Sequence, residues 1–244
     1  MTITVTNKSI STLARREATR TRGTVVRLAT ASVLAGIAAA ASAGTAAAAP
    51  GAPLPAFTGP SSLEALLLTD REVAAVVGAR NLVEIKSGNR LGHTAVRPSE
   101  CTSAYAPFQA AAYAGTDPQD VAFKVISDGR KQNLLVSEAV VQLGSKSESL
   151  AHLEATADAW DDCKGLTVSS TSGGWVLDAP RVNDDRTIVT LGQTSANGGS
   201  TCERAIASYR DIFIDVMSCS SGRAEGQGAK LVQEIAAKAD SQPL

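Results

Sequence analysis

CERAIASYRDIFIDVMSC, residues 202–219, is the stretch whose reading decides the fold. With Arg210 and Asp211 as a two-residue turn, its two arms fold back on each other. Tyr209 then faces Ile212, Ser208 faces Phe213 and, counting outward, Cys202 faces Cys219. The pair next to such a turn is hydrogen-bonded and every second pair beyond it is not, so the cysteines fall on a non-hydrogen-bonded pair. There Cα atoms approach to about 4.5 Å, within the reach of a disulfide. Arg-Asp is a poor sequence for a primed turn, so the register rests on the symmetry of the cysteines. Arg204 and Asp215 become diagonal neighbours on the cysteine face, where a charge pair is expected.

The chain has four cysteines, and accepting the hairpin bridge leaves Cys101 to pair with Cys163. The longer loop is worth about 4 kcal/mol of chain entropy against about 3 kcal/mol for the hairpin. All four cysteines are read as staples formed in an oxidising compartment, and the absence of a CxxC pair gives no support to redox chemistry or zinc.

The leader agrees with that compartment. Lys8, Arg15, Arg16, Arg20, Arg22 and Arg27 precede an uncharged, Ala-rich run from Leu28 to Ala43, the pattern of a secretory signal over 1–49 cleaved between Ala43 and Pro50. Pro50, Pro53, Pro55 and Pro60, interleaved with Gly51 and Gly59, make residues 50–62 a stiff tether. Residues 63–240 form one domain with a real core. The whole chain carries 23 basic and 24 acidic residues; without the leader's six bases and Glu17, 17 and 23 remain, a net charge near −6. That charge argues against nucleic acid or an anionic membrane as partner. No membrane anchor is expected after signal cleavage, since no cysteine precedes Cys101 to carry a lipid. The expected product is secreted, outside the cell or in its envelope.

Thr69-Asp70-Arg71-Glu72 is a capping box opening a short helix, with Leu68 stapled on Val73 and Gly78 as the stop. Ser145 to Glu148 repeats the device before a second helix, whose Leu150, Leu153, Ala157 and Trp160 fall on one face and whose end is Cys163. Strands are expected at 120–127, 134–143, 166–170, 174–177 and 186–194, besides the two hairpin arms. A last amphipathic helix runs over 225–239 and buries Leu231, Ile235 and Ala239. The expected fold class is α+β, an antiparallel sheet of about six to seven strands with packed helices and two disulfides.

This order of parts resembles the PknH-like extracellular sensor domain family. The resemblance covers roughly Leu63 to Asp240. It rests on Leu66-Leu67-Leu68-Thr69, on Tyr105 and Ala112 to Gly115, on Ala139-Val140-Val141 and on Trp160-Asp161-Asp162-Cys163. Cys202 to Ala205, Ile214-Asp215-Val216, Cys219 and Ile235 to Lys238 complete it. The resemblance implies disulfides at the same pairings and an antiparallel sheet with helices that leaves one large cleft for an unknown ligand. In that family a mycobacterial serine/threonine kinase carries the domain outside the membrane, and relatives occur as secreted proteins or lipoproteins. This sequence shows no kinase domain, so what transfers is a binding module rather than signalling in cis.

Catalytic and metal chemistry were sought without result. His93 and His152 are the only histidines and neither has a partner at metal-ligand spacing; His152 is read as a helix-surface or boundary residue. There is no G-x-S-x-G elbow, P-loop or G-x-G-x-x-G, and Asp161-Asp162 and Asp184-Asp185 read as solvated faces. Trp160, Trp175, Tyr105 and Tyr113 are the candidates for lining a cleft, each offering an apolar body with one polar tip. The expectation is a secreted, non-enzymatic module, without cofactor, for an unknown small-molecule or cell-envelope ligand. A secreted hydrolase acting on envelope material is the alternative.

Overall fold

The computed structural model describes residues 63–129 and 133–241. The expected signal and tether lie outside the described residues. Within them one antiparallel sheet of nine strands is built: β1 (Val83–Gly88), β2 (Asp120–Ser127), β3 (Leu134–Gln142), β4 (Thr167–Ser170), β5 (Gly173–Leu177), β6 (Arg181–Val182), β7 (Ile188–Ser195), β8 (Thr201–Tyr209) and β9 (Ile212–Ser220). The order is β1-β2-β3-β9-β8-β7-β5-β4, with β6 paired to β7.

The hairpin register is the expected one: Tyr209 opposite Ile212 and Cys202 opposite Cys219. Arg210 takes φ 52°, supplying the left-handed turn residue that its sequence does not favour. The cysteine Cα atoms stand 3.9 Å apart in the hairpin bridge and 5.8 Å apart in the Cys101–Cys163 bridge.

Because side chains alternate along each strand, the sheet has two different faces. One carries α4 (Gln227–Ser241) and α1 (Asp70–Val77), which bury Leu231, Val232, Ile235 and Val73 against Val136, Val140, Ile214 and Val216. The other carries α3 (Lys146–Asp162) and the four-residue α2 (Thr102–Tyr105), which bury Leu153, Trp160 and Ala104 against Val141, Leu191, Ile206 and Phe213. The two long helices therefore lie on opposite faces rather than sharing one.

Local signals held where they were strong. Thr69 and Glu72 close a reciprocal capping box, and Gly78 ends α1 at φ 68°. Ser145 accepts from the Glu148 N–H, but the Glu148 carboxylate turns outward to accept from the N–H groups of Gly144 and Asp117. The Glu148 side chain thus ties the preceding loops to the helix start.

Two expectations need correction. The sheet has nine strands rather than six to seven, because β1 and β6 were not anticipated. β1 is exposed along its whole length and so carries no burial pattern, and β6 has only two residues. In α3, Leu150 is exposed; the buried stripe is Ser149, His152, Leu153, Thr156 and Trp160. Ser149 earns its place by donating its hydroxyl to the Ile212 carbonyl at 2.8 Å.

The bridges close sequence separations of 62 and 17 residues, so the chain-entropy cost of losing them differs. Denaturant unfolding should show a loss of about 4 kcal/mol for C101A/C163A against about 3 kcal/mol for C202A/C219A. Equal losses, or the reverse order, would show that loop closure is not how these bridges stabilise the domain.

Candidate functional site

α4 is fixed at its start by a side chain from the sheet. Glu203, buried on the central strand β8, accepts from the N–H groups of Gly226 at 3.0 Å, Gly228 at 2.7 Å and Ala229 at 3.4 Å. A carboxylate at a helix N-terminus satisfies donors that have no partner within the helix and meets the positive end of its dipole. Gly228 suits the closeness: a Cβ there would stand 3.1 Å from both the Glu203 carbonyl and its carboxylate, which would have to give way by a few tenths of an ångström. The Ser218 hydroxyl adds a bond to Gln227 at 2.7 Å.

Pinned over β8 and β9 in this way, α4 leaves the β7 side of its face open. Its flank there is Ala229, Gln233, Ala236 and Ala237, too small and polar to reach across. A groove follows the helix. Near the C-terminal half of α4 it has a volume of about 380 Å³, in the middle about 200 Å³, and by Glu203 about 260 Å³. Asn183, Ile188 and Gln233 line both of the first two sections, and Arg181 joins the second to the third. The floor is Ile188, Thr190, Gly192 and Thr194 of β7. At Gly192 the carboxylate of Asp178 lies where a Cβ would be, 2.2 Å away, so any side chain there would displace it. Arg181 and Glu225 pair at 3.3 Å among the residues of the Glu203 section. Asp178, Glu203 and Arg223 add further charges to that section, Asp185 and Asp240 bring carboxylates to the section by the C-terminal half of α4, and the middle of the groove is hydroxyl, amide and methyl apart from Arg181.

The other face is closed by a buried polar cluster. Arg204 and Asp215 pair at 2.8 Å, both almost wholly inaccessible, in the diagonal relation expected. Arg204 also donates to the Ser103 carbonyl at 2.9 Å and lies over the Trp160 ring, 5.4 Å from its centroid. Asp215 accepts from the Phe108 N–H at 2.7 Å and the Tyr113 hydroxyl at 3.4 Å. Gln193 donates to the carbonyls of Ala104 and Tyr105. Polar groups of the sheet thus hold the backbone of the segment from Ser103 to Tyr113. Burial pushes the Tyr113 phenol well above its usual range and the nearby Asp215 charge adds to this, so it serves as a neutral donor.

The four aromatic candidates separate into two kinds. Trp160 and Tyr113 are buried, Trp160 completely, and belong to the core around Arg204. Tyr105 and Trp175 are half-buried on the same sheet face near its β4–β5 end, and Tyr105 shares its hydroxyl with Ser170 at 2.7 Å and Ser172 at 3.2 Å. None of the four lines the groove beside α4. That groove was missed because alanine, threonine and glutamine carry no distinctive signal; only the small stripe on one flank of the last helix could have suggested it. His152 corrects its reading as a surface or boundary residue: it is buried between Tyr113 and Phe213, with ring centroids at 4.8 and 4.6 Å. Burial lowers its pKa. No cluster of metal-binding side chains occurs among the described residues, and none of their helices is long and apolar enough to cross a membrane.

Residues 58–238 match the family model described as the PknH-like extracellular domain. The serine/threonine-protein kinase PknH of Mycobacterium bovis is 27% identical over 183 residues, which are 71% of this chain and 30% of that kinase. PknH of Mycobacterium tuberculosis is likewise 27% identical over 183 residues, 71% of this chain and 29% of the kinase. The chain therefore spans less than a third of the length of the curated relatives it matches. The crystal structure of the extracellular domain of PknH from Mycobacterium tuberculosis shares the fold, with a TM-score of 0.68 at 24% identity over 74% of this chain and 95% of that one.

Removing one member of a buried ion pair strands the other, so Arg204→Met should cost about 3–5 kcal/mol. The double variant R204M/D215L should recover part of this; additive losses in urea unfolding would mean the two groups are not coupled. His152 sets a pH dependence of definite sign. Its folded pKa lies below its unfolded one, so it costs stability as pH falls below about 6.5, where the unfolded chain takes up the proton first. His152→Phe should flatten that part of the stability profile.

Proposed function

The chain belongs to the PknH-like extracellular domain family, and from that membership we propose that it is an exported, non-enzymatic, sensor-type module that binds a ligand between α4 and β7. The observation that carries this reading is the unequal covering of the sheet. The α3 face is closed by Trp160, Tyr113 and the backbone that Arg204 and Asp215 hold, whereas the α4 face stays open along one flank of its helix.

Recognition in such a groove works through few, directed polar contacts on an otherwise complementary surface. Thr190, Thr194, Asn183 and Gln233 offer donors and acceptors without net charge, while Ile188 and the α4 alanines offer methyl surface. With charges of both signs near Glu203 and carboxylates near Asp240, the groove suits an elongated, hydroxyl- or amide-bearing cell-envelope molecule that runs along its uncharged middle. The hydrolase alternative has no histidine to use there, since His152 is enclosed by two rings, His93 is exposed and neither lines the groove; it would have to rest on the groove's carboxylates. The extracellular character of the family and the two disulfides support an oxidising location outside the cytoplasm.

A second reading places the ligand at Trp175 and Tyr105, and the hydroxyl cluster of Tyr105, Ser170 and Ser172 favours it. One experiment separates the two. A solvent extract of the producer's cell envelope should raise the thermal midpoint of the protein and of Trp175→Ala. It should not raise that of Gln233→Trp, whose ring fills the groove from an exposed helix position. Loss of the shift in Trp175→Ala with retention in Gln233→Trp would move the site to the other face.

A further inference from the structure

The domain begins with a turn and a helix, Leu63 to Val77, laid on the α4 face over β2 and β3. Leu63, Leu66, Leu67, Leu68 and Val73 are all buried there. At the bend before α1, two successive carbonyls are each gripped by an ammonium group. Lys238 of α4 donates to the Leu67 carbonyl at 2.8 Å and also reaches Glu72 at 3.2 Å. Lys124 of β2 donates to the Leu68 carbonyl and stands 3.9 Å from Asp70.

Beneath this clasp lies Glu138, in the middle of β3, directly across from Lys124 on one side and Val216 on the other. It is fully inaccessible, neither carboxylate oxygen has a well-formed hydrogen bond, and Lys124 is 3.7 Å away. A buried carboxylate of this kind is costly unless it is paired or neutral. The charged groups around it are Asp70 and Glu72 on α1, Lys124 on β2 and Lys238 on α4. Lys124 therefore has two employers, the Leu68 carbonyl with Asp70 above it and Glu138 below.

We propose that Glu138 is a proton-operated latch on the segment Leu63 to Val77. While the carboxyl is protonated, Lys124 is left to hold the segment. When the proton leaves, the buried charge draws on Lys124 and on water, and the grip on the Leu68 carbonyl slackens. Burial, opposed by Lys124 and by the Leu68 backbone amide, raises the carboxyl pKa to about 7, which puts the transition near neutral pH. The sign follows. A carboxyl whose folded pKa exceeds its unfolded value favours the closed form at low pH, and this advantage disappears as pH rises through about 7. His152 contributes the opposite sign from the other face, so the two cannot be mistaken for each other. The latch acts where the chain enters the domain, independently of the groove beside α4.

Amide hydrogen exchange, corrected for intrinsic rates, reads this directly. Peptides from residues 63–77 should lose about tenfold in protection between about pH 6 and pH 8, while peptides from α3 should not lose protection. In Glu138→Gln, which keeps the shape and removes the titration, that loss should vanish. A pH-independent segment in the wild type, or the same loss in Glu138→Gln, would overturn the latch. Carboxyl-carbon NMR of the wild type reads it without a variant: a Glu138 signal titrating near pH 7 in step with the exchange supports it, and one titrating in the ordinary carboxylate range contradicts it.

Discussion

The alternation of side chains across the β8–β9 hairpin is the constraint on which the rest depends. Glu203 and Arg204 are neighbours in sequence and so point to opposite faces. Glu203 caps α4 on one side; Arg204, with Asp215 across the hairpin, secures the segment from Ser103 to Tyr113 on the other. A slip of one residue would exchange these roles, placing a guanidinium at a helix N-terminus and a carboxylate over the Trp160 ring. The Cys202–Cys219 bridge and the buried ion pair both fix the same register, one covalently and one electrostatically.

From that hairpin the two faces diverge in how they are finished. The α3 face needs a long irregular segment to close it, and such a segment brings backbone groups that must be satisfied. Gln193, Arg204 and Asp215 satisfy several of them from the sheet, and Cys101–Cys163 ties the segment to the end of α3. The α4 face is finished mainly by apolar contact over β3, β9 and β8, pinned by a few polar bonds at the ends of α4, and β7 is covered only in part. Fastening α4 at its first turn by Glu203 sets the width of the groove beside it, so the position of the candidate site is a consequence of the same hairpin.

The parts legible in the sequence were those carried by strict spacing: the hairpin with its bridge, the Thr69 capping box, the Gly78 stop and the diagonal Arg204–Asp215 pair. Each is a short-range geometric relation between particular residue types. β1 escaped because an exposed edge strand has no face to bury. Leu150 misled because helical periodicity admits two adjacent stripes, and the choice between them was made by Ser149 bonding to Ile212 and by His152 fitting between Tyr113 and Phe213. Two of the four aromatic candidates proved to be core because Arg204, brought beside them by the sheet, needed an enclosing shell. The groove, made of common small residues from three elements, has no signature until those elements are assembled.

The central claim is that the open flank of α4 is where this module meets its ligand. A crystal structure of the protein purified without denaturation from its own producer tests it most directly. The account predicts non-protein electron density lying along β7 between Arg181 and Asp240. Density seated instead against Trp175 and Tyr105, or a groove closed by the protein's own side chains, would contradict it.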